Sequence, residues 1–233
     1  MRDFAALLVK EEKAVFSSPI AYAVIAVFLC VMGYTFTSIL FVNKVATLLH
    51  IFFQGSVLLL LMVPVITMRL FADERRSGTL ELLLTAPIGE VAIVLAKFVA
   101  SMTLVAVMLA LSTSYAAVLG LYATPDWGPI YSGYLGLFFM ACALVALGLL
   151  VSGLTSNQIV AAVVSLGLFL LLWMIDTVGY LLPDPLDAVV VNLSLLAHFT
   201  PFATGSLFLS DVGFFLSLTL VGLFLSVRTL ARR

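Results

Sequence analysis

The charged side chains of this sequence crowd into one place. Arg69, Asp73, Glu74, Arg75, Arg76 and Glu81 all fall in RLFADERRSGTLELLLTAPI, residues 69–88. Two acids followed by two bases, then Gly78 to allow a sharp bend and Leu80, Leu83 and Leu84 along one helical face up to Pro87, make a segment suited to hold another protein. On charge alone the same stretch also suits a plain loop that fixes orientation. The leucine face favours a helix lying on a membrane with its polar edge towards the cytosol.

Other chemistry is sparse. His50 and His198 are the only histidines, and neither has a second His, Cys or carboxylate at metal-ligand spacing. Cys30 and Cys142 each sit in an apolar run, where a thiol packs as a small hydrophobe and makes no disulfide framework. Eight methionines are scattered as apolar filler. No lysine follows a glycine, so the GxxxxGK[ST] phosphate loop is missing and the chain has no ATPase of that kind.

The elements that must carry the charged segment belong to lipid. Hydrophobic residues make up 64% of the 233-residue chain and charged residues 10%, against about 25% charged in a soluble domain. The apolar runs are continuous, not alternating, so the spans are helices and not the strands of a barrel. No stretch is long and polar enough for a separate soluble domain, so any enzymatic engine comes from a partner.

Residues 1–18 place Phe4, Leu7, Leu8, Val15 and Phe16 among Arg2, Lys10, Glu11, Glu12 and Lys13, the pattern of a retained amphipathic interface helix. Ser17, Ser18 and Pro19 then break it. Spans are expected at about 20–42, 45–68, 98–125, 133–153, 159–180 and 206–227, with Ser152 to Gln158 dividing the fourth from the fifth. Pro64 would kink the second. Trp127, Tyr122, Tyr131 and Tyr134 would lie at interface depth.

Ala188 to Ser210, 23 residues without Asp, Glu, Lys or Arg, are long enough to suggest a seventh crossing. The positive-inside rule decides against it. With six spans, Arg2, Lys10, Lys13, Arg69, Arg75, Arg76, Lys97, Arg228, Arg232 and Arg233 fall inside and only Lys44 outside. Residues 183–204 then form an outer-face re-entrant element, with Pro201 and Gly205 at the break before span six. The middles of the spans carry no ionisable group, which counts against an ion-coupled transporter. Gly148 with Ser152 offers a small-residue face for a mate, for lipid or for packing within the chain.

The residue 69–88 segment, Pro64 before it, and FSSPIAY at Phe16–Tyr22 resemble the ABC-2 type permeases, closest to the gliding-motility GldF and NosY-like group. The resemblance implies an all-α polytopic fold with six transmembrane helices, type V exporter-like: an interface helix at 1–18 and a permease domain at 19–233. It implies a permease subunit, not an enzyme, in a bacterial or archaeal cytoplasmic membrane with both termini cytosolic. Its partners would be two copies of a cytosolic ABC ATPase, a second permease chain (homodimer or heterodimer), membrane lipid and an accessory subunit with an extracytoplasmic domain, and no nucleic acid. ATP and Mg would be bound by the ATPase, with no cofactor in this chain. Carried over by position, Glu74 and Glu81 would meet basic groups on the ATPase, with Asp73, Arg75, Arg76, Gly78 and Thr79 shaping the docking loop. The competing class is an ATP-independent membrane scaffold or channel whose charged loop binds something else.

Overall fold

The computed structural model describes residues 2–40, 47–79, 81, 89–179, 183 and 186–231. Leu80, Leu83, Leu84 and Pro87 of the expected leucine face lie outside the described residues, as do Lys44, Asp184, Arg232 and Arg233. Among the described residues the regular structure is helical throughout: α1 (Arg2–Ser17), α2 (Pro19–Ser38), α3 (Leu49–Thr67), α4 (Ala72–Arg76), α5 (Glu90–Tyr122), α6 (Trp127–Leu154), α7 (Gln158–Gly179), α8 (Leu186–Val191), α9 (Leu195–Thr204) and α10 (Leu209–Ala231). Six of these, α2, α3, α5, α6, α7 and α10, are long and apolar enough to cross a membrane.

Helix boundaries follow local chemistry. Ser18 ends α1 and caps α2, its Oγ accepting from the Ile20 N–H at 3.3 Å, with Pro19 in the first turn where its missing N–H costs nothing. Asp126 caps α6 in the same way, accepting from Gly128 N–H at 3.1 Å. Gly205 closes α9 in the left-handed region at φ 96°, a conformation a β-carbon opposes. Pro201, expected at the break before the last span, instead lies inside α9, and Gly205 takes the break. The described residues from 186 to 204 thus hold two short helices, α8 and α9, neither long enough to cross a membrane.

The centre of the bundle is α6. Its apolar window is 72% buried, against 17% for α7, 22% for α2 and 28% for α10, which turn most of their side chains outward. In lipid the apolar effect does not distinguish one helix neighbour from another, so close packing must hold the spans together. Small residues on α6 provide it. A β-carbon at Gly136 would meet Phe202 Cβ of α9 at 2.5 Å, one at Gly133 would meet the Phe52 ring of α3 at 2.5 Å, and Gly148 lies directly against Thr67 of α3. On the far side Gly222 of α10 rests on the Ala146 backbone. The Gly148 and Ser152 face therefore packs within the chain.

Two tyrosines inside the spans find partners, whereas the buried Ser165 hydroxyl of α7 has none among the described residues. Tyr115 donates to the Leu29 carbonyl of α2 at 2.7 Å and Tyr134 to the Ser112 carbonyl at 2.8 Å. Tyr134 is thereby tied inward, whereas Tyr122, Trp127 and Tyr131 remain exposed at the helix ends.

The bundle has two unlike ends. At one, α4 and the starts of α5 and α7 meet α1 and the end of α10, where Leu7, Leu70, Phe71, Ile93, Leu149 and Leu230 form a second apolar cluster. At the other sit α8 and α9. Helix α5 begins at Glu90, eight residues before the expected start of its span, and its 33 residues reach about 50 Å at 1.5 Å per residue. That exceeds the roughly 30 Å hydrocarbon core. The helix is therefore longer than a crossing needs, and Lys97 lies in its second turn.

Gly136→Leu should force α9 off α6 and destabilise the purified protein by about 1–3 kcal/mol. Gly213→Ala, where a β-carbon meets nothing within 4 Å, should stay within about 0.5 kcal/mol. Thermal unfolding in detergent compares the two.

Candidate coupling site

The charged segment begins as a continuation of α3. After Thr67 the chain turns through Met68–Phe71 and enters the single turn of α4, with Asp73 and Glu74 first and Arg75 and Arg76 last. That order matches acids to the amino end of a helix and bases to its carboxyl end. Gly78 follows at φ 73° with no neighbour to its missing side chain, so it is the bend that the sequence anticipates. Ser77 and Thr79 close the turn: Ser77 Oγ donates to the Asp73 carbonyl at 2.9 Å and Thr79 Oγ1 to the Glu74 carbonyl at 3.3 Å.

Helix α4 has no side-chain cap of its own. Ser152, at the end of α6 and fully buried, supplies the missing group. Its Oγ accepts from the Phe71 and Ala72 N–H groups at 3.1 and 3.2 Å and donates to the Met68 carbonyl at 3.1 Å. A hydroxyl has one donor and two acceptor positions, and all three are used. Arg75 Nη1 donates to the Gly153 carbonyl at 3.2 Å, and Gln158 Nε2 donates to Asp73 Oδ1. The Ser152–Gln158 turn is therefore a seat for α4.

Lys97 is the second anchor. Its side chain is 2% exposed, yet it carries a full charge, and its Nζ lies 3.1 Å from Glu11 Oε2 of α1 and 2.8 Å from Glu74 Oε1 of α4. The ammonium also sits 5.3 Å from the Phe71 ring centroid, within cation–π range. One buried cation thus joins three elements that are far apart in sequence.

The expected site residues divide into two groups. Asp73, Glu74 and Arg75 are engaged within the chain. Arg76, Gly78, Thr79 and Glu81 are exposed. Glu74, matched to a partner's basic group by position, has Lys97 as its cation in this structure. Lys97, Glu11, Ser152, Gly153 and Gln158 complete the site, and the spacing of the charges did not link them. In the sequence Lys97 stands directly before the uncharged run 98–125 and serves only as a topology charge.

A family model described as ABC-2 family transporter protein matches residues 7–220. The chain belongs to the ABC-2 transporter family. Among curated proteins none matches it. As an ABC-2 membrane subunit it is a transport component and not itself the catalytic one, and permeases of this family generally work with an ATP-binding subunit. The match begins within α1 and ends within α10, so the helix carrying Glu11 is part of the permease and not an appendage.

The opposite end of this ABC-2 chain holds a pair the spacing argument overlooked. His198 of α9 meets Asp211 of α10, Nδ1 to Oδ1 at 2.7 Å, and its ring stacks on Phe214 at 4.0 Å. Nε2 lies 3.2 Å from the Asn192 carbonyl. His198 therefore does have a carboxylate partner, thirteen residues away on another helix. No group of three or more potential metal ligands gathers among the described residues.

Two changes test the anchors. Ser152→Ala should leave the Phe71 and Ala72 N–H groups buried without acceptors and cost about 1–3 kcal/mol of stability. Lys97→Met should cost about 3–5 kcal/mol, because it strands two carboxylates, while Glu11→Gln and Glu74→Gln added to it should restore much of the loss. Denaturation of the purified variants measures both, and an unchanged Lys97→Met would remove the ion cluster from the account.

Proposed function

We propose that this chain is the permease half of an ABC transporter in which a cytosolic ATPase docks on residues 69–88 and moves the transmembrane helices through Lys97 and Ser152. The observation that supports it most is the linkage just described: α4 cannot shift without carrying the end of α3, the seat at the end of α6, the start of α5 and the interface helix α1. A docking segment mounted in this way hands a push to several elements at once, as a rigid-body transition requires.

Within this reading the site residues take separate roles. Arg76, Thr79 and Glu81, exposed on the segment, are the contact groups, and Gly78 gives them their presentation. Asp73, Glu74 and Arg75 transmit. Two ATPase copies would serve a permease dimer, with the termini and residues 69–88 on the cytosolic side of a bacterial or archaeal inner membrane, as the basic residues favour. The GldF and NosY-like grouping is the subfamily the motif supports, and an accessory subunit would meet the α8 and α9 end. ATP and Mg belong to the ATPase.

Co-purification tests the docking role. An ATPase subunit should accompany the wild-type chain in stoichiometric amount, and the charge reversals Arg76→Glu with Glu81→Arg should weaken its retention markedly while membrane insertion is unchanged. Full retention by that variant, or a wild-type chain that purifies without any ATPase, would favour the ATP-independent scaffold.

A further inference from the structure

Helices α5 and α6 follow one another across a short turn, yet a groove of about 650 Å³ opens between them. Its lining runs from Ala106 to Ala117 on α5 and from Trp127 to Phe138 on α6. Each stretch is eleven steps of 1.5 Å, so the groove is about 16 Å long. That is half of the roughly 30 Å hydrocarbon core, the depth of one leaflet. Trp127 lies across the end nearest the turn. A β-carbon on Gly120 would meet its ring at 2.9 Å, and Tyr131 stacks on it with ring centroids 5.9 Å apart. Tryptophan and tyrosine favour the boundary between headgroups and chains, so the groove begins at that depth and runs inward. The same end carries α9, whose Gly205 packs on Pro129.

Length and polarity decide what fills the groove. Below its mouth the two hydroxyls of the lining are already used, Thr113 donating to the Ala110 carbonyl at 2.6 Å and Tyr134 to the Ser112 carbonyl at 2.8 Å. None of the lining residues is charged. A polar solute would lose its hydration there and gain no partner. A crossing helix of a second chain needs the whole depth of the bilayer, and the groove ends half-way. The space is continuous with the lipid-facing surface, where Ala110, Leu135 and Phe138 are exposed. An empty groove would forfeit dispersion contacts along both walls, so hydrocarbon enters from the side. We propose that the groove holds one acyl chain of a membrane phospholipid, its glycerol ester lying at Trp127 and Tyr131, where an indole N–H and a phenol O–H supply donors. The chain is the part recognised, and the headgroup is indifferent. Once seated, it fills the gap between the helices that carry Lys97 and Ser152, and so completes the frame on which α4 is mounted. The site stands on its own geometry, whatever docks at residues 69–88.

The test is titration of the delipidated full chain in detergent with a phosphatidylcholine brominated near the ester end of one acyl chain. Native mass spectrometry counts the bound lipid, and Trp127 fluorescence locates it in a Trp173→Phe background that leaves Trp127 the only tryptophan. One lipid per chain should bind, and Trp127 emission should fall in step with that first adduct. Ala110→Phe, which fills the groove from an exposed position, should remove both the adduct and the quenching, and Thr113→Phe repeats the test should the first variant fail to fold. Gly167→Phe, on an open face of α7, should leave both unchanged. Phosphatidylglycerol with matched chains should compete equally, and glycerophosphocholine, which has a headgroup and no chain, should not compete. An adduct that survives the filling substitutions, or displacement by glycerophosphocholine, would overturn the proposal. Quenching that rises in proportion to lipid without saturating would overturn it too, by showing only the ordinary contact of a span with its solvent.

Discussion

The structure turns on a single ammonium group. Lys97 is charged and nearly without solvent, a state that costs several kcal/mol unless counter-charges lie at hydrogen-bond distance. Helix α5 cannot supply them, because the residues around Lys97 on its own faces are apolar or small. They come instead from α1, which also packs Leu7 into the second apolar cluster, and from α4, which Ser152 also holds. Burying the charge therefore ties the positions of α1 and α4 to that of α5.

The second constraint is steric. Helix α6 carries no charge and few large side chains where it faces α3, α9 and α10, so those helices approach to backbone contact. Ser152 is the last of these small residues, and at that point close packing changes into hydrogen bonding: the same surface that admits Thr67 beside Gly148 ends in the hydroxyl that caps α4. The transmembrane core and the charged end are in this sense one construction. Helix α6, to which α4 is tied, is the most buried of the six spans.

Much of the architecture was legible from residue order. Uncharged runs and the positive-inside asymmetry predict six spans and a non-crossing stretch at 183–204, and Ser18 and Gly78 predict a break and a bend that the structure contains. What sequence could not reach was whatever depends on two distant elements meeting. Glu74 reads as a surface acid because its partner lies 23 residues away on another helix. His198 reads as solitary because Asp211 follows a turn whose direction Gly205 sets. Pro201 suggests a break by its chemistry alone, yet a short helix on the edge of the bundle tolerates the missing N–H. Lys97 was visible only as a topology charge, since nothing in a linear pattern says that α5 starts early enough to place it inside.

The central claim is that α1 and α4 move as one body because Lys97 joins them. Spin labels at Ser77 and Lys13 in the reconstituted complex, with their separation measured without nucleotide and with ATP trapped on the ATPase, test it most directly. The account predicts that this separation stays narrow and unchanged between the two states while the distance from Ser77 to a label at Gly213 shifts, and that Lys97→Met broadens the first distribution. A Ser77 to Lys13 separation that changes with nucleotide in the wild-type chain, or one that is indifferent to Lys97→Met, would contradict it.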